Sequence, residues 1–323
     1  MSATAQGGYG STAVTDPGNR PISPWLWLLI GVGSALTGLL PWLVTGMRLP
    51  LQNLWAADAL PWDMPLALLP FSQYAITTLV ALLGTGAAIA GIVARATRSR
   101  QGARGPFAIL AGLLTVQVVA IVQTAVVTSG GLQARSEATL YLALLIGVVV
   151  LAVLLGILVY WLIARAPRAG ALVGLSLAAL AAGSWLAELL IPVGSSYAEW
   201  QFWLAPHLRW VPAILVGAAI AWCGISTVGR VAAALGSLVI LWVGPVLITA
   251  VTSAAGSRVL APHPSEMLDY AAQVFRMALV AGEFVILPIV VAIVVAAIGL
   301  CGRMLLQRSR SAATEPRADA EQE

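Results

Sequence analysis

The sequence contains no lysine, only two histidines and only two cysteines, and 9% of its residues are charged. Cys223 and Cys301 alone provide neither a disulfide framework nor a CxxC metal motif. Because lysine is absent, all 17 basic residues are arginine, a usage typical of GC-rich bacterial genomes. The sequence also lacks a P-loop, a GxSxG elbow and an HExxH motif. We therefore expect neither an enzyme nor a cofactor-binding protein.

The formal net charge of +4 and the isoelectric point of about 9.5 do not indicate a nucleic-acid partner. The arginines lie in short segments beside apolar runs, and no basic patch with interleaved aromatic residues occurs elsewhere. Positive charge in such segments is typical of proteins that orient themselves in a bilayer. We therefore expect the lipid bilayer as a partner and exclude nucleic acid.

What the sequence has in abundance is apolar residues, which make up 60% of the chain and give it a mean hydropathy of +0.93. A bilayer core about 30 Å thick requires roughly 20 apolar residues in a helix. Eight runs reach that length: Trp25–Gly46, Gln73–Val93, Phe107–Val127, Ala138–Ile163, Ala171–Ile191, Trp210–Val228, Val231–Val251 and Met277–Leu300. The sequence thus predicts an all-α, polytopic transmembrane helix bundle with about eight spans.

Two parts of this assignment rest on breaks in the apolar pattern. Residues 210–251 form one apolar block interrupted only by Gly229 and Arg230, so we expect the chain to reverse at this dipeptide. Residues 49–71 are apolar but contain four prolines and two aspartates. Lipid does not accommodate so many unpaired backbone groups, so this segment is predicted to be an external loop, with a partly re-entrant course as the alternative.

Arginine positions predict the orientation. With both termini in the cytoplasm, twelve arginines are cytoplasmic and five, namely Arg48, Arg135, Arg209, Arg258 and Arg276, are external. The predicted domain is residues 25–302, flanked by disordered cytoplasmic tails at 1–24 and 303–323. Long external loops are predicted at 47–72, 192–209 and 252–276. The expected location is a bacterial plasma membrane.

Polar residues inside the predicted spans form the first candidate site. A charged side chain in hydrocarbon costs about 2.5–3.5 kcal/mol even on permissive scales, so intramembrane carboxylates are candidates for function. The candidates are Glu283 in the last run, with Arg276 seven residues before it on the same face of the helix, Glu188 in the fifth run, and Gln117 in the third. Glu188 and Glu283 each have a structural alternative, and Gln117 is also explained by hydrogen bonding between helices. Pro245 and Pro288 are expected to kink their spans and open a polar pocket beside Thr249 and Glu283.

A repeated Leu-Ala-Pro-His tetrapeptide forms the second candidate site, and it contains both histidines of the chain. The repeat ends at His207 in one external segment and at His263 in another, where Glu266 and Asp269 follow. Imidazole and carboxylate groups are ligands for divalent metals, and imidazole titrates near neutral pH. The spacing matches no metal motif, however, so we assign no metal. The repeat indicates either a duplicated hairpin or chance in a chain rich in alanine and leucine.

Two classes of function remain open. Long external segments with tryptophans and few buried charges favour a non-enzymatic accessory or envelope-associated membrane component. These tryptophans form either an interfacial belt or a docking surface for a lipid-like ligand or an envelope protein. Proline-broken spans with Glu283, Arg276 and Gln117 favour instead a small-solute or proton-coupled transporter.

Overall fold

The computed structural model describes residues 23–192, 198–257, 263–280 and 282–314, and most of these residues are helical. Long apolar segments saturate their backbone hydrogen bonds internally only as helices, which accounts for this composition. Within these ranges the helices are α1 (Pro24–Val44), α2 (Ile76–Ala96), α3 (Gly105–Gly131), α4 (Ser136–Ala164), α5 (Arg168–Leu190), α6 (Glu199–Leu208), α7 (Val211–Cys223), α8 (Val228–Gly256), α9 (Pro264–Leu279) and α10 (Glu283–Thr314).

Seven of the described helices are long and apolar enough to cross a membrane: α1, α2, α3, α4, α5, α8 and α10. The pair α6 and α7 passes the same test together, but its two helices are bent by 42°. The chain is therefore an integral membrane protein in lipid contact, and the predicted all-α polytopic bundle is confirmed. The sixth predicted run corresponds to the α7 half of the bent pair.

Helix packing divides the bundle into two groups that meet at α5. In the first group α1 packs against α3 and α2 against α4, while in the second α7 packs against α10 and α8 against α9. Helix α5 contacts α2 and α4 on one side and α7 and α8 on the other. Each group has its own apolar core, the first including Leu83 and Val149 and the second Val216 and Ala292.

The closest helix contact is between α1 and α3, and it depends on two glycines. A Cβ atom on Gly31 would overlap the carbonyl oxygen of Ile109, and one on Gly112 would overlap that of Leu28. Lipid offers no hydrophobic drive for helices to associate, so small residues that allow close van der Waals contact determine such pairings.

The reversal between α7 and α8 differs from the predicted one. Helix α7 ends at Cys223, Gly224 follows with φ of +74°, and Thr227 precedes α8. The Thr227 hydroxyl accepts a hydrogen bond from the amide of Arg230 at 3.4 Å. Gly224 supplies the left-handed conformation and Thr227 the N-cap. The predicted turn at Gly229–Arg230 is therefore wrong, because both residues belong to the first turn of α8.

The last predicted run is also interrupted. Helix α9 ends at Leu279 and α10 begins at Glu283, with Gly282 at φ of +52° between them. Much of the predicted external loop 252–276 is helical, because α8 continues to Gly256 and α9 starts at Pro264. At the other end α10 continues to Thr314, so the beginning of the segment 303–323 is helical rather than disordered.

The predicted external loop at residues 47–72 is non-helical but tightly folded against the first group of helices. Met64, Leu69 and Phe71 are fully buried. The amide of Leu68 donates to Gln123 Oε1 and that of Leu69 to Thr124 Oγ1, both at 2.9 Å. Polar side chains of α3 thus satisfy backbone groups that the irregular chain leaves unpaired.

Candidate functional site

Arginines from four segments converge at one end of the bundle, which we call the arginine end. Arg95 of α2 donates from Nη1 to the carbonyls of Ile163 and Ala166, at 2.8 and 3.0 Å, where α4 ends. Arg303 of α10 donates to the carbonyls of Ala221 and Trp222 at the end of α7. A guanidinium group at a helix C-terminus satisfies carbonyls that lack a partner within the helix.

A cavity of about 560 Å³ lies in the second group of helices, between α5, the α6–α7 bend, α8 and α10. We call it the proline cavity, because Pro212, Pro245 and Pro288 from three different helices line it. Its volume falls within the range of small-molecule sites, about 300–1,000 Å³. The cavity is the principal candidate for a functional site.

The prolines explain why a cavity exists at this depth in the bundle. Pro245 and Pro288 lie inside α8 and α10. Each lacks the N–H that would bond to the carbonyl four residues earlier, and each ring displaces that carbonyl. Pro212 lies at the start of α7, where its ring touches α5 at Gly183. Helices interrupted in this way do not close fully against one another.

Among the residues that the structure describes, the cavity wall is largely apolar and contains one charged side chain, Arg209. The Arg209 guanidinium lies over the ring of Trp210, with its central carbon 4.5 Å from the ring centroid, and both residues line the cavity. Thr249 also lines it, and its hydroxyl donates to the carbonyl of Pro245 at 2.9 Å. An apolar chamber with one arginine at its wall fits a ligand that is mostly hydrocarbon with an anionic group.

The proline cavity opens at the surface of the bundle. Arg209, Trp242, Pro245 and Thr249 line the cavity and are exposed. Pro245 and Thr249 lie on α8, one of the helices that qualifies as a membrane span. The cavity therefore has an opening beside α8.

Two of the predicted intramembrane site residues, Glu188 and Gln117, are not among the residues that line the cavity, and both form hydrogen bonds between helices. Glu188 is 8% exposed, and its Oε2 accepts a hydrogen bond from the hydroxyl of Thr78 on α2 at 3.3 Å. Gln117 is buried and donates from Nε2 to the carbonyl of Leu83 at 3.2 Å. Glu188 thus links α5 to α2, and Gln117 links α3 to α2.

The structure also separates the other predicted pair, Arg276 and Glu283. Arg276 is exposed in the last turn of α9, whereas Glu283 is the first residue of α10. The expectation that the two share a face of one continuous helix is wrong, because Gly282 interrupts the helix. The side chain of Glu283 lies outside the part of the structure that is described.

The predicted external site is not assembled as a metal centre. Its four members are spread over α6 and the start of α9, and no group of three histidine, cysteine or carboxylate residues with metal-binding geometry occurs among the described residues. His207 Nδ1 lies 2.8 Å from the carbonyl oxygen of Trp203 in its own helix. His263 precedes α9, which carries Glu266 and Asp269. Most of the second tetrapeptide, residues 260–262, lies outside the described ranges.

Comparison with known proteins adds no further assignment. No protein-family model, no curated protein and no solved structure matches this chain. The cavity and the arginine end are therefore interpreted from their own geometry.

Sequence reasoning identifies Pro245 and Pro288 of the cavity but not its arginine. In the sequence, Arg209 is one of the five external arginines. The distribution of charge predicts the side of the membrane for such a residue, and it gives no information about a cavity. The signal that points to Arg209 is local. Arg209 directly precedes Trp210 and lies three residues before Pro212, at the start of an apolar helix. The chain bends here, and the bend exposes the end of the preceding helix.

Proposed function

We propose that this protein is a non-enzymatic membrane component that holds an anionic amphiphile, such as a fatty acid or a singly charged lipid, in the proline cavity. The observation that carries the proposal is an apolar cavity open beside α8, whose described lining residues include one cationic side chain, Arg209. Hydrocarbon fills the apolar part, and the anionic group pairs with the guanidinium. Holding such a ligand is consistent with an accessory or envelope-associated role.

The position of Arg209 supports this choice of ligand over a purely apolar one. Its guanidinium is already stacked on Trp210, so little side-chain freedom is lost when a carboxylate or phosphate binds. An arginine in a largely apolar wall attracts a group that carries negative charge. Exposed aromatic residues of α6, including Trp200 and Trp203, place this helix well for contact with lipid headgroups.

A photoactivatable palmitate analogue tests the proposal on the purified full-length protein. We expect saturable labelling of peptides from α5, α8 or α10 that line the cavity, and competition by unlabelled palmitate. Arg209→Gln should weaken competition about 10-fold or more, because a hydrogen bond to a charged group contributes about 1.5–3 kcal/mol. Arg135→Gln is the matched control, since Arg135 is exposed at the start of α4 and does not line the cavity.

A steric variant provides an independent test. Ala205 lies at the cavity wall on α6 and is exposed, so Ala205→Trp should occupy the cavity and abolish labelling. Ala218→Trp is the control, because Ala218 is exposed on α7 outside the cavity. Labelling that is not saturable, or that survives both Arg209→Gln and Ala205→Trp, would show that the cavity does not hold the probe.

The second candidate function is a small-solute or proton-coupled transporter. It is favoured by the break between α9 and α10, which leaves Glu283 at the start of α10 a few residues before the cavity-lining Pro288. Broken helices near a cavity are typical of transporter sites. Uptake or efflux in cells that carry Glu283→Gln tests this candidate, and unchanged flux of every solute tried would remove its main support.

A further inference from the structure

A second unexplained feature lies at the arginine end, away from the proline cavity. Four arginines, which we call the arginine quartet, surround the end of α7: Arg95, Arg168, Arg230 and Arg303. Arg95 lies over the ring of Trp222, and Arg303 donates to the carbonyl of the same residue. The backbone carbonyl of Arg168 accepts from Cys223 Sγ at 3.5 Å, and Arg230 donates to Ser226, three residues after α7, at 2.8 Å. The four arginines come from four different helices, α2, α5, α8 and α10. Such convergence of like charges is unfavourable unless something of opposite charge offsets it.

Within the described ranges, no carboxylate lies at this end of the bundle to offset the quartet. Arg168 begins α5, whereas Glu188 lies in its last turn, and α4 ends beside Arg95, whereas Glu137 lies in its first turn. Glu199 precedes α7, whose far end carries Cys223. The remaining carboxylates with described side chains belong to the 47–72 segment and to α9: Asp58, Asp63, Glu266 and Asp269.

Three members of the quartet are held by contacts that leave donors available. Among the described residues, the side-chain hydrogen bonds of Arg95, Arg230 and Arg303 all come from the Nη1 nitrogen. A guanidinium group carries five N–H donors in a planar fork that suits phosphate oxygens. Arg95 is additionally stacked on Trp222, 5.1 Å from the ring centroid. These side chains therefore offer oriented donors at little entropic cost.

The surroundings of the quartet correspond to the headgroup level of a bilayer. Trp222 is 40% exposed, and an indole at a span end is typical of the membrane–water interface. The amino ends of α5 and α8 lie at the same end, and a helix amino terminus favours a negatively charged group. Basic clusters between helix ends at this level are suited to anionic lipid headgroups.

We infer that the arginine quartet binds the phosphate-bearing headgroup of an anionic phospholipid, at a site separate from the proline cavity. The guanidinium groups of Arg168 and Arg230 contact phosphate oxygens, while Arg95 and Arg303 contribute charge from positions fixed by helix carbonyls. The acyl chains of this lipid lie along the neighbouring spans, and Trp222 lies at the boundary between headgroup and hydrocarbon.

Native mass spectrometry of the full-length protein in detergent, titrated with short-chain lipids, tests the inference. The probes are dioctanoyl-phosphatidylglycerol and dioctanoyl-phosphatidylcholine, which share the phosphate and chains but differ in net charge. We expect tighter binding of phosphatidylglycerol, and a loss of about 30-fold in the double variant Arg168→Gln with Arg230→Gln, because each interfacial arginine contributes about fivefold. Arg168→Lys with Arg230→Lys retains the charge and should lose less.

The matched control is Arg100→Gln with Arg104→Gln, which removes the same charge from exposed residues of the segment that joins α2 to α3. The fold-loss of phosphatidylglycerol affinity in this control pair should be less than a third of the fold-loss in the quartet pair. Equal affinity for the two lipids, or an equal loss in both double variants, would overturn the inference. Displacement of phosphatidylglycerol by equimolar inorganic phosphate would also overturn it, because it would show a site for free anions.

Two further variants separate the headgroup site from competing occupants and from the cavity. Neutralising the four carboxylates of residues 315–323 tests whether that segment occupies the quartet. If the preference for phosphatidylglycerol over phosphatidylcholine appears only in this variant, the segment occupies the quartet in the unchanged protein, and the inference is overturned. In the Arg209→Gln background, which removes the cationic group of the cavity, the double variant Arg168→Gln with Arg230→Gln should still lower phosphatidylglycerol binding about 30-fold. This independence separates failure of the cavity proposal from failure of the headgroup site.

Discussion

Arg95 of α2 lies over the ring of Trp222 at the end of α7, with 5.1 Å between the guanidinium carbon and the ring centroid. The same guanidinium donates to carbonyls at the end of α4. One side chain of the first helix group thus joins two helix ends that belong to different groups. The stability of the arginine end should depend on it strongly.

We expect Arg95→Met to destabilise the protein by about 2 kcal/mol or more. The variant keeps an apolar stem but loses two charge-assisted hydrogen bonds and the contact with Trp222. Thermal unfolding in detergent measures the effect. Arg98→Met is the control, because Arg98 is exposed on the same segment, and a change of similar size in both variants would contradict the assigned role of Arg95.

Gly31→Val should disrupt the contact between α1 and α3. The added side chain would overlap the carbonyl of Ile109, and overpacking of this kind costs about 1–3 kcal/mol. Size-exclusion chromatography after a heat challenge measures the loss of folded protein. Gly33→Val provides the comparison, since a Cβ atom there meets nothing within 4 Å. If both variants survive equally, α1 and α3 are not in contact as described.

Thr124→Val should release the segment 47–72 from α3. The amide of Leu69 loses its acceptor, and a buried unpaired amide costs about 1–3 kcal/mol. Limited proteolysis should then cleave this segment faster. In the control Thr115→Val the lost hydroxyl is exposed and bonds only within its own helix, to Ala111, so cleavage should stay slow. Identical cleavage in the two variants would argue against anchoring by Thr124.

Reporter fusions after Arg104 and after Gln201 should report opposite sides of the membrane. The chain between these positions passes through α3, α4 and α5, which are three of the candidate spans. The excess of arginine predicts that the first fusion is cytoplasmic and the second external. Signals from a single compartment would mean that one of the three helices does not cross.

The sequence predicts the spans well because length and hydropathy are local properties. The runs in the first five helices agree with the observed helices to within a few residues, as for Ala138–Ile163 within α4. The span predictions fail where the backbone conformation of a single residue determines where a helix ends. Gly224 and Gly282 adopt positive φ and end helices inside apolar runs, and an apolar pattern does not distinguish these glycines from Gly229.

The candidate sites are harder to predict because they depend on which helices meet. The sequence marks Pro245 and Thr249 as neighbours on one helix and predicts a polar pocket beside Thr249 and Glu283. Thr249 does line the cavity, but the described wall is largely apolar. Pro212 and Pro288 also line the cavity, and they do so because of how the helices pack in the tertiary structure. Conversely, Gln117 looks functional because it is polar and buried, but its contact with the carbonyl of Leu83 is one that any helix interface could use.

The bond from Arg303 to the end of α7 has a consequence for biogenesis. The donor lies 81 residues after its acceptor at Trp222, so the carbonyls that end α7 lack this donor when α7 first enters the bilayer. They must accept hydrogen bonds from other donors, such as water, until the ribosome has delivered α10. The closing of this helix end is therefore one of the latest steps in assembly, and truncation before Arg303 leaves it permanently open.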